Sequence, residues 1–408
     1  MWGIPNLGNT CYIGSIVQCL GHCPSFFTYM TRTDRPQHVE PGIVPEHSAA
    51  LAIRSRKQAI RAHAVHPSRY PSVAESLREL YRAMCDRDSR RDEIRTCTVH
   101  LYRALQEAFP TWPVRQQNDA QELFMLLSER LIQETGRELG GSRHAEKFAS
   151  YPAFSTLPVL YEDNPRVQSV YDPNVLHAVR ASERALFKKG ATHWAESQKK
   201  NYGALSEMFQ GQYVSQVLCG NCGATYHNFE VLDAIPISMM STTAKAPEAA
   251  ARLSTCLKGF FGDEQLEGWK CDACGHRSSP GTVKTYRCWK APRILIVFVK
   301  RFCYATQRKD RRPLLLGDGT VNMSAYSSGP LARRAKRENA HVYALRSAVC
   351  HSGNTMDSGH YYTVARKMSD STTKNDNETW CMYDDDDAIR PCSGVPEKDV
   401  YMLAFECT

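Results

Sequence analysis

Near residue 212 the hydrophobic pattern of this 408-residue chain changes period, and that change limits the fold more than any other feature. Upstream, apolar residues recur at three- and four-residue intervals. Ile13, Ile16, Val17 and Leu20 form one face of a helix over 11–20, and SVAESLRELYRAM (72–84) repeats the pattern. So does NDAQELFMLLSERLIQE (118–134), with Ala120, Leu123, Phe124, Leu127 and Leu131 on its stripe. Asn118 with Gln121 three residues on reads as a capping box, and Thr10 or Asn9 as the cap of the first helix. Downstream, QYVSQVLC, HNFEVLDAIPISM, RILIVFVKRF (293–302), HVYALRSAVCH (341–351), HYYTVARKM (360–368), TWCMYD (379–384) and VYMLAFEC (400–407) alternate or run apolar, as strands do. Helices first and strands later predict an α+β fold with an antiparallel sheet. The weakly patterned 136–205, helical near 175–200, and the basic 303–340 read as insertions, and 369–378 as a polar hairpin tip.

At this length two or three lobes, or one domain with large insertions, are expected. Apolar content of 42% and charged content of 23% are ordinary for a globular protein. Mean hydropathy is −0.46 and no apolar run approaches the ~20 residues of a membrane span. The opening MWGIPNLGNT has no basic segment followed by an apolar one, so a cytosolic or nuclear protein is expected. In a reducing compartment its 16 cysteines read as packed thiols, with a few as metal ligands or a nucleophile. The net charge of +8 is dispersed over 54–61, 307–312 and 333–337, which read as solvated loops and helix faces rather than a nucleic-acid groove.

Two features carry chemistry. Cys11 follows a Gly-Asn-Thr turn and opens the first helix, where free N–H groups and a partial positive charge favour a thiolate. Such a nucleophile needs a base. His360, in DSGHYYTVA, follows a glycine that permits close backbone approach, and it starts an apolar strand; His351 is its rival. A hairpin between 360–368 and 379–384 brings Asp384, and with it Asp385, beside His360, where a carboxylate orients the ring. Separately, CGNCG (219–223) and CDACG (271–275) give two Cys-x-x-Cys pairs, each followed by glycine. Cys219, Cys222, Cys271 and Cys274 read as a structural tetrahedral zinc site, with His276 outside it.

GIPNLGNTCYIGSIVQCL resembles the cysteine box of the ubiquitin-specific proteases, and CHSGNTMDSGHYYTVAR with WCMYDDD resembles their histidine box. RQQNDAQELFMLL, MFQGQYVSQVLCGNCG, CDACG and PRILIVFVKRF follow the same family's order, so six collinear blocks cover 3–405. The resemblance implies a papain-like right hand: a helical thumb over 1–205, zinc-tied β fingers over 206–288 and a β-rich antiparallel palm over 289–408. It implies a deubiquitinase acting on ubiquitin and ubiquitinated proteins, with Cys11 as nucleophile, His360 as base and acid, and Asp384 aided by Asp385 as orienter. By the same resemblance Asn6 helps form the oxyanion hole and Asp119 contacts the substrate tail; for these two the rival readings are a turn asparagine and a helix cap. Gly14 departs from the family's asparagine and Leu123 from its phenylalanine. A catalytically silent ubiquitin-binding scaffold, a protease for a ubiquitin-like modifier and, on charge alone, a nucleic-acid binder are the alternatives.

Overall fold

A computed structural model describes residues 2–32, 71–86, 91–136, 183–239, 250–277, 280–303, 308–329, 341–355, 358–367, 379–385 and 389–408. The expected hairpin tip, the basic runs at 54–61 and 333–337, and most of 136–182 fall outside them. The helices are α1 (Cys11–Gly21), α2 (Pro24–Thr31), α3 (Val73–Cys85), α4 (Arg91–Ala108), α5 (Ala120–Thr135), α6 (Arg184–Gln198), α7 (Ala204–Phe209) and α8 (Leu253–Phe260). None of the described helices is long and apolar enough to cross a membrane. The chain divides into two compact units, Phe27–Val114 and Trp2–Phe26 with Arg115–Thr408.

In the first unit α3 and α4 pack together. Ser72 caps α3 by accepting from the Glu75 N–H, and Leu77, Leu80, Tyr81 and Met84 are buried. The sequence reading missed α4. Its stripe of Ile94, Thr98, Leu101 and Leu105 has a polar member, and Thr98 is buried only because its hydroxyl donates to the Ile94 carbonyl at 2.7 Å.

The second unit is built on two sheets. Strands β1 (Gly211–Leu218), β2 (Thr225–Leu232), β5 (Asp263–Gln265) and β6 (Val283–Lys290) make an antiparallel sheet in the order β2-β1-β6-β5, with the shorter β3 (Ile235–Ser238) and β4 (Ala251–Arg252) outside it. α6 packs on that sheet through Phe187, Ala191 and Trp194 against Val214, Phe229 and Trp289. The short β8 (Phe302–Cys303) and β9 (Arg308–Lys309) pair with each other, and β10 (Leu314–Leu315) runs parallel to β4. The larger sheet holds β7 (Ile294–Lys300), β11 (Thr320–Asn322), β12 (Val342–Ser352), β13 (His360–Arg366), β14 (Trp380–Tyr383), β15 (Arg390–Cys392) and β16 (Val400–Cys407). Its order is β15-β14-β13-β12-β16-β7-β3, with β11 beside β12, and all pairs except β3–β7 are antiparallel. The expected α+β class and antiparallel sheet are as found.

Three expectations need correction. HNFEVLDAIPISM is two strands in different sheets, divided at Asp233, which accepts from the Ser128 hydroxyl at 3.2 Å. RILIVFVKRF breaks at Arg301, whose buried guanidinium donates to four main-chain oxygens, on Val400, Asp310, Arg312 and Glu397. The described part of the 307–312 basic run is not wholly solvated: Lys309 is buried, donates to the His351 carbonyl and lies 3.7 Å from Asp399.

Candidate active site

α1 is apolar nearly all round, with Gly14 its only residue not fully buried, so it sits inside the second unit rather than on its surface. It is tied to the larger sheet by polar side chains at otherwise apolar positions. The Thr363 hydroxyl of β13 donates to the Ser15 carbonyl at 2.8 Å, and the Ser347 hydroxyl of β12 donates to the Cys19 carbonyl at 2.7 Å. These bonds fix the helix that begins with Cys11 against the strand that begins with His360.

Gly8 and Asn9 both have positive φ, at 99° and 51°, which turns the chain sharply into α1. Neither Thr10 nor Asn9 caps the helix through its side chain. Asn6 organises the loop instead: its Oδ1 accepts from the Gly8 N–H, the Thr10 N–H and the Thr10 hydroxyl, each at 3.1 Å. Its Nδ2 donates to Asp385 Oδ2 at 3.1 Å. Four bonds thus fix the side-chain amide and leave one Nδ2 hydrogen uncommitted by them.

β13 and β14 pair from Arg366↔Trp380 to Thr363↔Tyr383, so the residue after β14 reaches the start of β13. There His360 Nε2 lies 2.5 Å from Asp384 Oδ1. The other ring nitrogen, Nδ1, is left for Cys11, whose hydrogen bond is the largest influence raising His360 to about 9. Burial opposes that rise and the Asp384 bond reinforces it. Asp385 stands farther off, 3.9 Å from His360 Nε2, and serves Asn6 more directly than the ring. Cys11, Gly14, Tyr383 and Asp385 line one narrow cleft. A Cβ at Gly14 would meet Ile4 only at ordinary contact distance, 3.7 Å, so nothing there demands glycine.

His351, the sequence rival, is buried and held down at about 4, first by burial and then by Lys309. It forms the wall against which Gly359 packs: any Cβ at 359 would overlap its ring. Asp119, not Asn118, caps α5, accepting from the Gln121 N–H at 2.6 Å, and its second oxygen accepts from the Tyr401 hydroxyl at 2.6 Å. Asn118 instead donates to the Tyr12 hydroxyl, beside Cys11.

The second cluster lies where the β1–β2 turn, with Cys219 and Cys222, meets the β5–β6 connection, with Cys271 and Cys274. Gly223 and Gly275 have φ of 71° and 70°, and their N–H groups donate to the Cys219 and Cys271 carbonyls. The two knuckles are therefore alike. The four sulfurs lie within 4.8 Å of one another, with Cys219–Cys274 at 3.9 Å and Cys222–Cys271 at 3.7 Å. Metal–sulfur bonds of ~2.3 Å place tetrahedral sulfurs ~3.8 Å apart, so the cysteines fit one metal ion of zinc's size. Tyr226, which sequence reasoning missed, accepts from the Ala273 N–H at 2.9 Å and donates to Cys271 Sγ at 3.3 Å. That bond is the first cause pulling Cys271 down to about 6. His276 is exposed and outside the cluster.

A thiol, an imidazole and a carboxylate in hydrogen-bonded series make the constellation of a cysteine hydrolase. The sequence model of ubiquitin carboxyl-terminal hydrolase matches residues 2–405, and the chain belongs to that family. It is similar to ubiquitin carboxyl-terminal hydrolase 2 of Bos taurus, 23% identical over 413 residues, covering 99% of this chain and 54% of the relative. It is 26% identical to ubiquitin carboxyl-terminal hydrolase 7 of Saccharomyces cerevisiae over 295 residues, 69% of this chain and 22% of that one. The chain thus spans between about a fifth and about half the length of these two relatives. Among solved structures, the SAGA DUB module Ubp8/Sgf11/Sus1/Sgf73 bound to monoubiquitin matches with a TM-score of 0.61 at 16% identity, covering all of this chain and 69% of that one. The same module bound to ubiquitin aldehyde matches with a TM-score of 0.58, also at 16% identity, covering all of this chain and 70% of that one.

Proposed function

We propose that this chain is a thiol-dependent deubiquitinase that hydrolyses the isopeptide or peptide bond at the C-terminal glycine of ubiquitin. The observation that carries the reading is the Cys11–His360–Asp384 series, with His360 Nε2 2.5 Å from Asp384 Oδ1 and Cys11 acting on the same ring. The Cys11 thiolate attacks the glycine carbonyl, and His360, as imidazolium, protonates the departing lysine amine. A thioester results, and water activated by the now neutral His360 hydrolyses it, returning the thiol. Asp384 holds the ring with Nδ1 toward the sulfur. The uncommitted Nδ2 hydrogen of Asn6 donates to the oxyanion, with Asp385 fixing the amide's direction. Asp119 receives an arginine of the substrate tail; each of its carboxylate oxygens keeps a lone pair beyond its present bond. In this reading the fingers, 206–288, cradle the body of ubiquitin. The four cysteines hold a structural zinc, and the protein works in the cytosol or nucleus, where thiols stay reduced.

A ubiquitin carrying a C-terminal electrophile tests the reading. It is expected to label Cys11, with labelling abolished by Cys11→Ser, while probes built on ubiquitin-like modifiers react far more slowly. A folded protein that gives no ubiquitin adduct would return the silent-scaffold reading, and preference for another probe would reassign the modifier.

A further inference from the structure

We propose that His22 and Tyr383 are positioning residues that hold the Asp384 end of β14 against the helix bearing Cys11; the inference rests on the hydrolase reading above. β14 pairs with β13 only as far as Tyr383, so Asp384 is the first residue beyond the ladder. A carboxylate that must meet an imidazole at 2.5 Å needs another anchor close by.

Tyr383 supplies one. His22 is the residue that ends α1, and it is 2% exposed. Its Nδ1 lies 2.7 Å from the Gln18 carbonyl, which can only accept, so Nδ1 carries the proton. Burial keeps the ring neutral, pulled down to about 4. Nε2 is therefore bare, and the Tyr383 hydroxyl donates to it at 2.9 Å. The two rings also pack at 4.6 Å. A closed circuit results: Cys11 opens α1, Gln18 and His22 end it, His22 grips Tyr383, Tyr383 leads into Asp384, and Asp384 holds His360 on Cys11. Gln18 and Tyr383 line the same cleft as Cys11, so the anchor lies within the site.

The test is the rate at which iodoacetamide alkylates Cys11, read on the Cys11 peptide by mass spectrometry in the absence of ubiquitin. His22→Phe and Tyr383→Phe are each expected to slow it about tenfold, as loss of orientation at a coupled site does. The double variant is expected to be no slower than either. His22→Gln, whose Oε1 can accept from Tyr383, restores the rate to within about twofold, whereas His22→Asn, which reaches only the Gln18 carbonyl, does not. Should His22→Phe fail to fold, Tyr383→Phe and the Gln/Asn pair carry the test. Unchanged rates in folded variants, losses that multiply in the double variant, or equal behaviour of Gln and Asn would each overturn the proposal. A reactive wild-type Cys11 with equally reactive variants removes this inference alone. A wild-type Cys11 no faster than a free thiol removes the hydrolase reading with it.

Discussion

The Cys11–His360 site and the four-cysteine cluster belong to the same compact unit and solve opposite problems. The first gathers residues from the two ends of the chain, 6–11 and 360–385, and satisfies them with one another: Asn6 with Asp385, Cys11 with His360, His360 with Asp384. The second draws on 219–274, uses two near-identical turns, and leaves four sulfurs facing each other at distances that suit a cation better than neutral thiols. One site is complete when the chain has folded. The other could hold a metal ion and is expected to be complete only with one. Folding and loading should therefore be separable at one and inseparable at the other.

The sharpest way to break this contrast is to remove the metal. A tightly held structural zinc contributes on the order of 10 kcal/mol in isolated zinc modules. Elemental analysis is expected to give about one zinc per chain, lost in Cys271→Ser. Chelation should expose the β1–β2 turn to proteolysis while iodoacetamide still modifies Cys11 at its original rate. Loss of both together would mean that the two sites are one cooperative structure.

A smaller effect is expected within the Cys11–His360 site, where the proposed mechanism has two residues act on different species. Asp384→Asn should lower kcat/KM by ~10⁴-fold, because an amide no longer favours the imidazolium. Asn6→Ala should cost ~10²- to 10³-fold, mostly in kcat, as loss of one oxyanion donor does. Equal losses in kcat and in substrate affinity for Asn6→Ala would make it a loop-former only.

The mildest contrast is in pH. His360 is held up, to about 9, so its imidazolium contributes stability that is full below about pH 6.5 and is lost as pH rises through 9. His22 and His351 are held down at about 4 by burial, so they withdraw stability as pH falls from 6.5 toward 4, on the order of 3 kcal/mol for His22. Melting temperature is expected to peak near neutral pH, and His360→Gln should flatten only the alkaline side.

How much of this was legible in the sequence follows from how local each signal is. The Cys-x-x-Cys-Gly knuckles repeat one turn, so the gathering of four cysteines could be read from spacing alone. The helix at Cys11 and the strand at His360 were equally plain, because apolar periodicity records burial on one face. Asp384 was reachable through the hairpin, since antiparallel pairing fixes what stands opposite what. The partners that cross between elements were not legible. Nothing in the sequence says that Asp385 answers Asn6, that Ser347 and Thr363 hold α1, or that Arg301 collects four carbonyls. What the sequence does offer is a polar residue at a buried apolar position, and each of the last three is one. Asp119 was read both as a cap and as a tail contact, and its capping bond is now in view.

The crowding at Gly359 has an evolutionary corollary. A Cβ there would meet both the His351 ring and, at 2.5 Å, the Ser352 carbonyl oxygen. Slimming residue 351 would relieve only the first of these, so the glycine just ahead of the base is expected to be inherited whatever drifts at 351.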